Sequence, residues 1–136
     1  MEENKVTAVT ELDMSHYRTK VYAGGHFIYA DEPGELGGTD QGMTPSALLL
    51  ASLGSCTAIT IRMYADRKNI ALDAIKIHLS IDNKEEELNK DTRIVRKIEL
   101  DGDLTDKEIL RLFEIADKCP IHKILTNPIS IETVPA

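Results

Sequence analysis

Cys56 and Cys119 are the residues of this chain best suited to chemistry, and each sits in a segment of distinct physical character. Cys56 ends a run of small residues, Leu53-Gly54-Ser55-Cys56, inside a long uncharged stretch. Cys119 stands directly before Pro120, with His122 three positions on. Proline favours the first position of a helix, so Cys119 is expected to be the N-cap of a short helix through Leu125. Its sulfur would then lie beside exposed N–H groups, which stabilise a thiolate. Three chemistries fit the pair. A thiolate that meets a peroxide, with a second thiol to condense with the sulfenic acid formed, makes a thiol peroxidase. The Cys119-x-x-His122 pair joined by Cys56 would make a three-ligand zinc site, although that spacing is a weak signal. Two packed, inert thiols are the bland outcome, since free cysteine is among the most buried residue types.

Other residues could support a reactive thiol. Arg18, Arg62 and Arg96 are candidates for holding Cys56 as thiolate or polarising the departing oxygen of a peroxide. Arg96 interrupts an apolar strand phase, which a side chain reaching out to solvent explains equally well. His26 and His122 could bind substrate or tune a thiol, and both also suit ordinary hydrogen-bonded roles. The glycine-rich loop from Gly34 to Gly42 lacks the lysine and spacing of a phosphate loop, and reads as the approach to a helix.

The element that must position Cys56 begins at Thr44, a natural N-cap, with Pro45 at the first helical position. From Thr44 to Ile61 there is no charge, close to the length of a membrane span. The run is diluted by Ser46, Ser52, Gly54, Ser55, Thr57 and Thr60, however, and a span needs about 20 mostly apolar residues. A buried central helix is expected, continuing through Ala65 to Arg67-Lys68 and stopping at Asn69. Small residues from Ala51 to Ala58 would let another backbone pack closely, including one from a second subunit.

The remaining chain supplies sheets and two more helices. A strand is expected over Lys5–Leu12. Tyr17–Tyr22 and His26–Ala30 form a hairpin around Ala23-Gly24-Gly25. Ile75, Ile77, Leu79 and Ile81 alternate with polar residues, a half-buried strand, and Thr92–Leu100 is its partner across a charged connection from Asn83 to Asp91. Thr105 and Glu108 form a capping box for a helix whose apolar face is Ile109, Leu112, Phe113 and Ala116. A last strand is expected over Ile129–Val134. The mixture is α+β, and 136 residues suit one domain, 1–136, with a core that needs no staples.

Composition narrows the partners. With 16 basic and 23 acidic residues the net charge is -7, which disfavours nucleic acid and anionic membrane surfaces. Met1-Glu-Glu-Asn shows no secretory signal, so a cytoplasmic location is expected. There a structural disulfide is disfavoured, and the two cysteines are either packed thiols or transient redox groups.

Three segments together resemble the OsmC/Ohr superfamily, named for osmotically inducible protein C and organic hydroperoxide resistance protein. They are Gly25-His26 followed by Asp31-Glu32-Pro33; Gly37-Gly38-Thr39-Asp40 through Thr44-Pro45 to Leu53-Gly54-Ser55-Cys56-Thr57; and Glu114-Ile115-Ala116-Asp117-Lys118-Cys119-Pro120-Ile121-His122. The general OsmC-like branch is the nearest in pattern, through His26, Met63-Tyr64-Ala65 and Cys119-Pro120-Ile121-His122. The resemblance implies an intertwined α+β homodimer with long buried central helices packed against antiparallel sheets, and active sites at the subunit interface. It implies that Cys56 attacks an organic hydroperoxide and that Cys119 resolves the sulfenic acid as a disulfide. An external dithiol would restore the enzyme, with no metal or other cofactor. Leu49 and Leu53 would then line an apolar pocket with His26 and His122 near it, and Arg18 is the arginine whose N-terminal position best suits support of Cys56. One departure stands out. The peroxidase branches place a glutamate one or two positions after the helix-starting proline, where this chain has Ser46 and Ala47. A non-catalytic protein binding a small ligand in the same pocket is the alternative function.

Overall fold

A computed structural model describes residues 5–83 and 91–136. Most of the charged connection expected between Asn83 and Asp91 therefore lies outside the described residues. The elements follow in the order β1 (Val9–Glu11), β2 (Thr19–Ala23), β3 (His26–Ala30), a short 3-10 turn (Gly34–Leu36), α1 (Pro45–Arg67), β4 (Leu72–Ile81), β5 (Ile94–Gly102), α2 (Asp106–Ala116) and α3 (Pro120–Leu125). Helices and antiparallel sheets make this an α+β chain, as the sequence predicts. It gathers into two compact units, Met1–Leu49 and Leu50–Ala136.

The first unit holds a three-stranded antiparallel sheet in the order β1-β2-β3. Ala23 pairs with His26, so Gly24-Gly25 forms a two-residue turn, and both glycines take positive φ (56° and 79°), which such tight turns require. After β3 the chain wraps around one buried carboxylate. Asp31 accepts hydrogen bonds from the backbone N–H groups of Glu32 (2.7 Å), Gln41 (3.1 Å) and Thr39 (3.3 Å), and from the Thr39 hydroxyl. The Thr39 hydroxyl first, then the N–H groups of Gln41, Glu32 and Thr39, hold its carboxyl well below the usual range against the opposing effect of burial. Met43 forms a single parallel bridge with Ala30, and the Thr44 hydroxyl accepts from Ala47 N at 3.2 Å, capping α1 as expected.

In the second unit, Leu53, Gly54, Thr57, Ile61 and Ala65 are buried along one stripe of α1, at the three- and four-residue spacing of a helix face. Ile61 and Ala65 join Leu72, Leu112, Ile115 and Ala116 in a continuous core. α1 is long and apolar enough to cross a membrane, but this stripe is part of a protein core. β4 and β5 pair antiparallel from Ile81↔Ile94 to Ile75↔Leu100, and the odd-numbered residues of β4 from Ile75 on turn inward while their neighbours are exposed. α1 approaches this ladder closely, because a Cβ on Gly54 would lie 2.8 Å from Leu79 Cδ1. Thr105 and Glu108 form the predicted capping box at the start of α2.

Two expectations are corrected. The central helix is not buried on all sides within one chain: Ile59 and Met63 are 54% and 63% exposed. The segment Ile129–Val134 is not a strand, and Ile129, Ile131 and Val134 are exposed. Its alternation of apolar residues satisfies strand propensity, but a strand exists only where another edge takes up its backbone hydrogen bonds. Boundaries also move, β1 shrinking to three residues and β5 running two residues beyond Leu100.

Candidate active site

The geometry of the second unit brings the two cysteines together. α1 carries Cys56 on a partly exposed flank, and the adjacent Thr57 points fully into the protein. At the end of α2 the chain turns through Asp117-Lys118 and starts α3 at Pro120, which leaves Cys119 as N-cap, fully buried, with Sγ accepting from His122 N at 3.4 Å. Both thiols are free, and they lie near enough for each to shift the other's ionisation.

The different surroundings of the two sulfurs decide where charge rests. Burial pushes the Cys56 thiol up, and the neighbouring Cys119 pushes it further, outweighing the Ile121 N–H and the Thr60 hydroxyl. Burial also opposes charge on Cys119. There it is outweighed by the Cys56 thiol, the His122 and Ile121 N–H groups and the Thr57 hydroxyl, so the Cys119 thiol is lowered. The first negative charge of the pair therefore sits on Cys119, with the proton on Cys56. After the neighbouring Cys56, the N–H groups at the N-cap expected from Cys119-Pro120 contribute most to this lowering.

Arg96 lies directly behind this pair. Its guanidinium donates from Nη1 to Thr57 Oγ1 at 2.9 Å and from Nη2 to Asp117 Oδ1 at 2.9 Å, with His122 Nδ1 at 3.3 Å from Nη2. The side chain is only 12% exposed. Arg96 does not reach out to solvent; it occupies the apolar phase of β5 because it has partners inside. Thr57 in turn donates to the Leu53 carbonyl at 2.6 Å. Thr57 and Asp117 are the site residues that sequence reasoning did not select. Of the three candidate arginines, Arg96 is the one that reaches them, from a strand phase otherwise filled by Ile94, Ile98 and Leu100.

The other candidates fall as follows. Leu53 and His122 line a cavity of about 590 Å³ together with Arg93, Ile94, Arg96 and Leu125. Arg18 belongs to the first unit, donating to Gln41 Oε1 at 2.7 Å and lying over the Tyr29 ring at 4.6 Å. His26 opens β3, and Leu49 is exposed on the first turns of α1, both also in the first unit. Arg62 pairs with Asp66 at 3.4 Å on the surface of α1. Among the described residues no group of three or more His, Cys, Asp or Glu side chains is arranged to hold a metal ion, so Cys56, Cys119 and His122 do not form the zinc set considered from their spacing.

Comparison with known proteins agrees with the fold and its cysteine-bearing segments. A family model described as OsmC-like protein matches residues 38–134, which include both cysteines. An OsmC-like protein from Mycoplasma pneumoniae is 20% identical with a TM-score of 0.75, over 91% of this chain and 89% of that one. An organic hydroperoxide resistance protein OsmC from Legionella pneumophila is 19% identical with a TM-score of 0.64, over 93% and 92%. An organic hydroperoxide resistance protein from Elizabethkingia anophelis is 17% identical with a TM-score of 0.65, over 92% and 90%. Comparison with curated protein sequences yields no match. With its helix-borne cysteine, its second cysteine capping a short helix and a family match over most of its length, the chain belongs to the OsmC-like protein family.

Proposed function

We propose that the protein is a thiol-dependent peroxidase that reduces organic hydroperoxides, with Cys56 peroxidatic and Cys119 resolving. The observation that carries this reading is the pair of neighbouring free thiols, one partly exposed and one buried. An accessible sulfur meets the peroxide, and a buried one waits behind it.

The steps balance with these residues alone. As Cys56 Sγ attacks the terminal oxygen of ROOH, its proton passes to the Cys119 thiolate and the O–O bond breaks. Protonation of the leaving alkoxide gives ROH and Cys56 sulfenic acid, with Cys119 again a thiolate. Cys119 Sγ then attacks Cys56 Sγ, the S–O bond breaks, hydroxide leaves and the disulfide forms. A dithiol reductant returns both sulfurs to the reduced state by exchange. The cavity beside the site is not lined by either cysteine, but it shares Arg96 and His122 with it, and its apolar residues Leu53, Ile94 and Leu125 suit the organic part of a substrate. Structural relatives named organic hydroperoxide resistance proteins support the same substrate class.

A cytoplasmic homodimer is part of this proposal. Ile59 and Met63 on α1, and separately Tyr22, Phe27 and Ile28 on the first-unit sheet, are exposed apolar residues of the kind a second subunit covers. A non-catalytic ligand-binding role is the rival reading, favoured by Ser46 and Ala47 at the helix start, where the peroxidase branches carry a carboxylate.

One equivalent of cumene hydroperoxide added to reduced protein, followed by thiol mapping by mass spectrometry, separates the two. Rapid formation of a Cys56–Cys119 disulfide, abolished in Cys56→Ser, is the expected result. Both thiols remaining free over many minutes would overturn the peroxidase reading in favour of ligand binding.

A further inference from the structure

We propose that Arg96 is the positioning residue of the dithiol, tying Thr57, Asp117 and His122 into one unit that holds the Cys119 sulfur against Cys56 and ready to resolve it. The consequence for turnover rests on the peroxidase reading above; the positioning itself does not.

Three contacts carry the argument. Thr57 follows Cys56 on α1, and Arg96 Nη1 fixes its hydroxyl at 2.9 Å. Asp117 lies two residues before Cys119 and is held by Nη2 at 2.9 Å. His122 lies three residues after Cys119, its N–H donates to Sγ, and its Nδ1 accepts from the same guanidinium nitrogen at 3.3 Å. One guanidinium thus bridges the helix of the first cysteine and both flanks of the second. Burying an arginine at 12% exposure against a single carboxylate that is itself 66% exposed is a poor way to gain stability. It is a good way to fix three donors and acceptors in a rigid fork, which lysine cannot reproduce.

Within the peroxidase reading, the arrangement favours resolution over damage. Cys56 sulfenic acid has two fates: attack by Cys119, which expels hydroxide and forms the disulfide, or reaction with a second hydroperoxide, which gives sulfinic acid and an alcohol. A Cys119 sulfur already ionised and beside Cys56 favours the first.

The test reads Cys119 without peroxide. In Cys56→Ser, Cys119 is the only thiol of the chain, and its ionisation is followed by thiolate absorbance near 240 nm across pH, with the Cys56→Ser/Cys119→Ser protein as blank. Adding Arg96→Met is expected to lower the thiolate fraction below the midpoint by about fivefold or more, as positioned hydrogen bonds to the sulfur are lost. Arg96→Lys, which keeps charge and bulk, is expected to recover part of the loss, and it replaces the Met variant if that one folds poorly. An unchanged midpoint in the variant that folds would overturn the proposal. In the full dithiol protein, Arg96→Met is expected to slow disulfide closure about tenfold and to accumulate Cys56 sulfinic acid. Failure of wild-type Cys56 to react with hydroperoxide would remove the peroxidase reading, while the absorbance midpoint still decides the role of Arg96.

Discussion

Replacing Cys119 by serine tests where the charge of the thiol pair resides. Serine is a better N-cap than cysteine, so α3 keeps its start and the buried site its shape. In wild type the Cys56 and Cys119 sulfurs compete for one negative charge. The His122 N–H, at 3.4 Å, serves Cys119. A hydrogen bond to a charged group is worth about 1.5–3 kcal/mol, and this one favours the charge on Cys119. As pH rises through the first ionisation, the wild-type population of Cys56 thiolate levels off as a minority of the pairs. In Cys119→Ser no second thiol holds the charge, and Cys56 ionises completely. The rates of Cys56 oxidation should therefore coincide in acid, where both are limited by the same loss of a proton from Cys56. They should diverge in favour of Cys119→Ser at alkaline pH, before the second wild-type thiol titrates. Single-turnover stopped-flow with cumene hydroperoxide from about pH 5 to 9, with dimedone trapping of the sulfenic acid, measures both curves. Curves that keep a constant ratio across this range would refute the placement of charge on Cys119.

Three further substitutions probe the scaffold. Leu112→Ala, at a fully buried position in the second-unit core, should cost about 2–5 kcal/mol in urea unfolding, the usual range for an unfilled leucine cavity. Gly102→Ala should be destabilising by about 2–3 kcal/mol in the same assay, because its φ of +151° favours glycine and a Cβ would lie 2.2 Å from the Ala71 carbonyl oxygen. Asp31→Asn removes a carboxylate whose folded pKa is depressed, so the stability this group gives is fully present above the ordinary carboxylate pKa and is lost as pH falls through the folded value. The melting temperatures of wild type and Asp31→Asn should accordingly differ at neutral pH and converge on acidification below about pH 4; a constant gap across that range would contradict the assignment.

Much of this molecule is legible in its sequence because local physics sets it. The Gly24-Gly25 turn, the Thr44-Pro45 start of α1, the Thr105/Glu108 box and the Cys119-Pro120 cap each depend on residues within one turn of each other, and each appears where the residues predict it. The half-buried alternation of β4 is read from period alone. Ile129–Val134 fails for the complementary reason: alternation reports propensity, and pairing needs an edge that no local pattern specifies.

The candidate site divides along the same line. Cysteine identity, the N-cap of Cys119 and the small-residue helix around Cys56 were available in one dimension. Only the tertiary structure decided that the two thiols are neighbours, that the first charge rests on Cys119, and that Arg96 turns inward to Thr57, Asp117 and His122. Those contacts join residues 21 to 39 positions apart in the chain, across a strand, two helices and the turn before Cys119. Local propensity acts over a few residues; hydrogen bonds of this kind exist only once the packing of α1, α2 and β5 has brought their partners within about 3 Å.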